Sequence, residues 1–245
     1  MLMRATFGEP VAGMAGMLAV VLVCACSSCG SQQATKPPPI PMPTGSLTDV
    51  EGNVYPTIKI GQQEWMVKNL KTVTYNDGTP IPNVTDGPTW STLASDAYSW
   101  YDNAVGNKDV YGALYNWYAV NTKKLCPTGW SMPSNGSWST LVTAVGGDSV
   151  AGGRTKEVGT TLWQPPNTGA TNQSGFSARP AGFRNVAGSF DEKGQNGIWW
   201  SSDQKIVSLP GTAYFSHVTS TSSALVSATS PFTTGYSVRC FRSAN

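Results

Sequence analysis

Few residues in this chain are of a type that does chemistry. Among its 245 residues there is one histidine, His217, and there are five cysteines: Cys24, Cys26, Cys29, Cys126 and Cys240. Any histidine-based triad therefore has a single base available. His217 lies in the strand-like run TAYFSHVTS, with no Asp or Glu close in sequence. A surface or edge-strand side chain is the simpler reading. Asp191 and Glu192 are carboxylates that could serve glycoside chemistry, but their surroundings, SFDEKGQNG, read as a turn. Catalysis is not expected from these residues.

The cysteines divide by position. Val11 to Val23 is apolar and small, the length of a secretory h-region and short for a bilayer span. It runs into Val23-Cys24-Ala25-Cys26, which resembles a bacterial lipobox: aliphatic three before the cysteine, small one before it. Cys26 fits best as the lipidated residue, because Cys24 follows the bulky Val23. The alternative is an ordinary signal peptide cut nearby. Acyl chains contribute about 0.8 kcal/mol per buried CH2, so more than one chain would hold the protein stably on a membrane. Residues 1–25 are thus expected to be a leader. Residues 26–46, with Pro37, Pro38, Pro39, Pro41 and Pro43, are expected to form a semi-rigid polyproline spacer. One globular domain is expected over 47–245. Cys126 and Cys240 are the two cysteines left in it, and in an oxidising compartment such a pair most often forms a disulfide. A catalytic thiol pair and a metal site are the rival readings.

Composition fits an extracytoplasmic domain. Only 12% of residues are Asp, Glu, Lys or Arg, about half the usual share. With 9 Trp, 9 Tyr and 7 Phe the chain can still bury a large apolar area. The formal charge is +2 and no basic block stands out, so nucleic acid is not an expected partner.

The elements around these residues read as follows. Asn53 to Val67 alternates and turns at Gly61-Gln62, predicting a hairpin; Asp77-Gly78 marks a second turn. Gly112 to Val120 is a short helix candidate. A second helix is predicted after Ser134 or Asn135, ending at Gly146-Gly147, with Trp138, Leu141, Val142 and Val145 on one core-facing stripe. From Gly152 onward short apolar runs recur between Gly-, Ser-, Thr- and Asn-rich stretches, predicting short strands and long loops. The expected fold class is α+β: an irregular, loop-rich mixed sheet with two short helices and one disulfide.

Several segments occur in a fixed order: WMVKNLKTVTYNDGTPIP, YGALYNWYAV, LCPTGWSMPSNGSWSTLV, NTGATNQSGFSARPAGFRN, GIWWSSD and GYSVRCFR. Together, over roughly Val50 to Arg242, they resemble the Fibrobacter succinogenes major paralogous domain. The resemblance implies a fold like the C-type-lectin and formylglycine-generating-enzyme (sulfatase-modifying-factor) group. It implies that Cys126 and Cys240 correspond to the family's paired cysteines. It also implies a lipid-anchored protein of the outer membrane or cell surface in a Bacteroidota-like or Fibrobacter-like bacterium. It brings no reaction with it.

Some members of that fold group are diversified by retroelements near the C-terminus. By that likeness the stretch between GIWWSSD and GYSVRCFR would face a ligand. The candidate ligand-binding residues are Trp199, Trp200, Asp203, Tyr214, Ser216, His217 and Phe232, with one of the two adjacent tryptophans expected to face the core instead. Aromatics and hydroxyls supply adaptable contact surface. The expected function is a binding or adhesion module for an extracellular glycan or protein, with the membrane engaged through the N-terminal lipid. The alternative is a structural subunit of a surface assembly. No cofactor is expected, except that NTGATNQSG (167–175) could wrap a calcium ion through Asn side chains and backbone carbonyls.

Overall fold

The computed structural model describes residues 39–205 and 211–244. The leader over 1–25, the lipidation candidate Cys26, Cys24, Cys29 and most of the proline spacer lie outside those residues. The first strand opens at Gly45, two residues before the expected domain start.

One sheet joins the two ends of the domain. Strand β1 (Gly45–Thr48) pairs antiparallel with β2 (Val54–Ile60), and β2 turns at Gly61-Gln62 into β3 (Gln63–Met66). Gly61 has φ +58°, the left-handed conformation this tight turn requires. Strand β3 then pairs with β11 (Phe241–Ser243), more than 170 residues away in sequence. Beside that pairing, Cys126 and Cys240 form a disulfide with a Cα–Cα distance of 5.7 Å.

Between these ends the chain is mostly loop. Two short ladders, β4 (Tyr98–Ser99) with β5 (Leu114–Tyr115) and β6 (Phe183–Arg184) with β7 (Phe190–Asp191), pin it in places. Short helices interrupt it: α1 (Gly87–Ser91), α2 (Lys108–Tyr111), α3 (Trp117–Asn121), α4 (Asn135–Ala144) and α5 (Asp148–Thr155). Three of these lie outside the two helices expected, and α5 is the instructive one. Its sequence DSVAGGRT carries two glycines, which lower helix propensity and read as loop. The glycines are there for packing. A Cβ on Gly152 would lie 2.1 Å from the Ala224 carbonyl oxygen, and one on Gly153 would lie 2.3 Å from that of Gly169.

The second sheet is β8 (Asn196–Lys205), β9 (Thr212–Thr219) and β10 (Leu225–Pro231), all antiparallel, with β9 in the middle. It separates two hydrophobic cores. Ile198, Trp200 and Ala213 point into one, with Tyr115, Trp117 and Tyr236. Trp199, Val218 and Leu225 point into the other, with Trp138, Leu141, Trp163 and Phe176. Alternation along β8 sends its adjacent tryptophans to opposite faces, and both faces are covered.

Three buried cations hold the loops, and none of them forms an ion pair with a carboxylate among the described residues. Lys156 Nζ donates to the carbonyls of Thr168 (2.9 Å), Thr219 (2.7 Å) and Ser222 (2.8 Å), and lies 5.5 Å from the Trp163 ring centre. Arg184 lies between the rings of Trp90 and Phe190 and donates to the carbonyls of Val84, Thr85 and Gly188. Arg239 lies over Phe176 and Trp199 and donates to Asn69 and to the carbonyls of Met66, Phe176 and Ser177. Burial pushes Lys156 down to about 8, Arg184 to about 10, and Arg239 well below its ordinary value. Carbonyl dipoles and aromatic faces supply the compensation that a counter-ion supplies elsewhere. Lys156 thereby joins the loop at Thr168 to the end of β9, Arg184 joins Val84 and Thr85 to the β6–β7 turn, and Arg239 joins Phe176 and Ser177 to the end of β3.

Candidate functional site

Helix α4 starts at a capping box. Ser134 Oγ accepts from Ser137 N at 3.0 Å, and Ser134 N donates to Ser137 Oγ at 3.2 Å. A further free N–H of the first turn, Asn135 N, donates to the Asp203 carboxylate at 2.8 Å. Asp203, a candidate ligand residue by sequence, is thus part of the clamp that fixes α4 against the end of β8. Ser227 Oγ on β10 donates to Asn135 Oδ1 at 2.7 Å, closing the same end of the helix onto the sheet.

A recess of about 250 Å3 lies between this helix and the sheet. Asn135, Trp138, Ser139 and Val142 line it from α4, Asp148 from the start of α5, and Ser216, Leu225 and Ser227 from β9 and β10. Ser216 stands opposite Ser227 in the β9–β10 register. Tyr214, two residues along β9, shares that face by alternation and is half-buried.

The remaining candidates go elsewhere. Trp199 and Trp200 are both 0% exposed. Trp199 Nε1 donates to Asn69 Oδ1 at 2.9 Å, and Trp200 Nε1 to the Tyr115 carbonyl at 2.8 Å. Neither presents a face to solvent, because the sheet has a core on each side. His217 lies on the opposite face from Ser216, its ring 5.6 Å from that of Phe215. Burial lowers its pKa below 6.5, with Glu192 opposing. Phe232 stacks on Trp117 with ring centres 4.3 Å apart. The seven candidates therefore form no single cluster. Asp203, Tyr214 and Ser216 flank the helix side of the sheet; His217 and Phe232 belong to the other side. Trp138, Asn135, Ser139, Asp148 and Ser227 were not expected to line a site. The hydroxyl alternation in β10 was a weak signal for Ser227, and Trp138 carried no signal beyond its place in a core stripe.

The chemistry weighed for an enzyme finds other uses here. Asp191 Oδ2 accepts from Asn185 Nδ2 at 2.7 Å and Glu192 from Asn196 Nδ2, so both shape the turns around β7. Cys126 and Cys240 are bonded to each other. Among the described residues no three His, Cys, Asp or Glu side chains gather as a metal site. In the 167–175 loop, Asn167 Nδ2 donates to the carbonyls of Glu157 and Gly159, Asn172 bonds Ser177, and the Thr168 carbonyl accepts from Lys156. No helix among the described residues is long and apolar enough to cross a membrane.

The family described as the Fibrobacter succinogenes major domain matches residues 58–242, more than half of the chain. No curated protein and no solved structure matches it. The chain belongs to the Fibrobacter succinogenes major domain family.

Proposed function

We propose that this member of the Fibrobacter succinogenes major domain family is a non-catalytic binding module, displayed outside the cytoplasm and recognising an extracellular glycan or protein. The observation that carries the reading is the recess between α4 and the β9–β10 hairpin. A sheet packed on both faces by aromatic cores makes a rigid base. On the recess side the hairpin presents hydroxyl-bearing side chains, with Ser227 exposed and Tyr214 half-buried. Rigid support beneath an adaptable polar surface suits recognition.

The remaining expectations belong to this proposal. A leader ending before Cys26 and a proline spacer would hold the domain away from a membrane. A C-type-lectin-like arrangement would place its ligand surface in the C-terminal third, which supplies the β9–β10 wall of the recess. Two experiments test the reading. Cys26→Ser is expected to move the protein out of the detergent phase on Triton X-114 partitioning; unchanged partitioning removes the lipid anchor. The purified protein is then applied to a glycan array and to immobilised host-surface proteins. A saturable hit supports the module. A folded protein that binds nothing in either format, and elutes as a multimer, replaces it with a structural role in a surface assembly.

A further inference from the structure

Two polar atoms on residues that line the recess have no partner among the described residues. Trp138 and Ser216 are each 1% exposed, and neither Trp138 Nε1 nor Ser216 Oγ makes a hydrogen bond. The two residues line the same space from opposite walls, Trp138 on α4 and Ser216 on β9. An unpaired buried polar group costs on the order of 1–3 kcal/mol. Trp138 thus differs from Trp65, Trp90, Trp117, Trp163, Trp199 and Trp200, which all place their indole N–H on an acceptor; the other buried atoms without one lie singly on Ser99, Glu157, Asn167 and Arg179, none of which lines this recess.

We infer that the recess binds a neutral, hydroxyl-rich ligand of about one sugar ring, anchored by Trp138 Nε1 and Ser216 Oγ. The inference rests on the binding-module reading and names its ligand class. An indole N–H can only donate, so it calls for an acceptor oxygen on the ligand; a serine hydroxyl can give or take. No Lys, Arg or His lines the recess, which leaves an anion without a counter-charge. The one charged group is the Asp148 carboxylate at its exposed rim, an acceptor for ligand hydroxyls. Ser139 Oγ donates to the Asn135 carbonyl at 3.1 Å, which leaves its lone pairs available as acceptors. Val142 and Leu225 offer apolar surface to the C–H face of a ring. The volume, about 250 Å3, falls below the roughly 300–1,000 Å3 of drug-sized sites and holds several waters at roughly 30 Å3 each. That is the scale of one monosaccharide unit.

The test titrates the 15N-labelled full chain with single neutral monosaccharides, and separately with sulfate and glucuronate. The readout is the indole N–H resonance of Trp138, identified by its loss in Trp138→Phe. A saturable shift of that resonance with at least one neutral sugar, at millimolar concentration, is expected. Ser216→Ala is expected to weaken that binding roughly 3–10-fold, the range for one lost hydrogen bond. The same variant should leave the melting temperature of the free protein unchanged or higher, because it removes an unpaired buried hydroxyl. No shift with any neutral sugar, in a protein whose other indole resonances match the folded state, overturns the inference; the recess then holds water alone. A shift produced only by the anions overturns it as well. An array hit that Ser216→Ala leaves untouched keeps the binding module and removes this site from it.

Discussion

Asn69 and Arg239, 170 residues apart, meet in the interior: the guanidinium Nε donates to Asn69 Oδ1 at 2.9 Å. The same oxygen takes the Trp199 indole N–H, also at 2.9 Å, while Asn69 Nδ2 reaches the Tyr111 carbonyl and the Ser237 hydroxyl. One amide thus joins the segment after β3, the end of α2, strand β8 and the C-terminal segment. Asn69→Ala is expected to destabilise the protein by about 3–5 kcal/mol, since it leaves a buried cation and an indole N–H short of an acceptor. Urea unfolding followed by tryptophan fluorescence measures it. A loss below about 1 kcal/mol would mean that the carbonyls of Met66, Phe176 and Ser177 hold Arg239 without Asn69.

The disulfide closes a loop with a sequence separation of 114. In the chain-entropy model a loop of that length contributes up to about 5 kcal/mol, and usually less in practice. Replacing both cysteines by serine is expected to lower stability by about 2–4 kcal/mol. Wild type denatured without reductant should take up no maleimide at Cys126 or Cys240, and Cys126→Ser should label at Cys240. Labelling of oxidised wild type at both positions would remove the bridge.

How much of this was legible in the sequence follows the range of each interaction. The β2–β3 hairpin and the Ser134 cap of α4 are set by residues within a few positions of one another, so composition and spacing expose them. The Cys126–Cys240 pair was readable from where the five cysteines fall, three in the leader and spacer and two in the domain, given an oxidising compartment. The burial of both Trp199 and Trp200 was not, because strand alternation predicts one covered face and says nothing of a second core. Helix α5 was hidden by Gly152 and Gly153, whose reason lies in carbonyls of distant segments. The cation staples had a faint signal: Arg239 interrupts the otherwise apolar run YSVRC, and Lys156 follows a buried helix end. Nothing local said which carbonyls they would hold. Ser216 was singled out within a hydroxyl-rich strand, but Trp138 across the recess could not be tied to it without the fold.

His217 gives the chain a pH response with a defined sign. Burial sets its folded pKa below the ordinary 6.5, against a smaller opposing effect of Glu192. As pH falls, the unfolded chain takes up the proton first, so unfolding becomes easier. The contribution is fully present above about pH 6.5 and is lost as pH falls from there toward the folded value. Wild type is expected to be less stable to urea at pH 5.5 than at pH 7.5. His217→Gln should flatten that difference, because the domain has no other histidine. A His217→Gln protein with the full wild-type slope would assign the response to carboxylates instead.

Lys156 bears on calcium. Its ammonium takes the carbonyls of Thr168, Thr219 and Ser222, so it joins the 167–175 loop to the end of β9 and the turn that follows. A calcium ion in that loop would need oxygens at about 2.3–2.6 Å, and one loop carbonyl, that of Thr168, already faces a positive charge. Two outcomes follow. Lys156→Met, which keeps the apolar stem and removes the charge, is expected to destabilise by about 2–3 kcal/mol as the carbonyls lose their donor. Wild type is expected to melt at the same temperature in millimolar calcium and in EDTA, since a ligand that binds only the folded state must raise the midpoint. A calcium-dependent rise in wild type would place an ion in the loop beside Lys156. A rise confined to Lys156→Met would show the metal entering only where the ammonium has left.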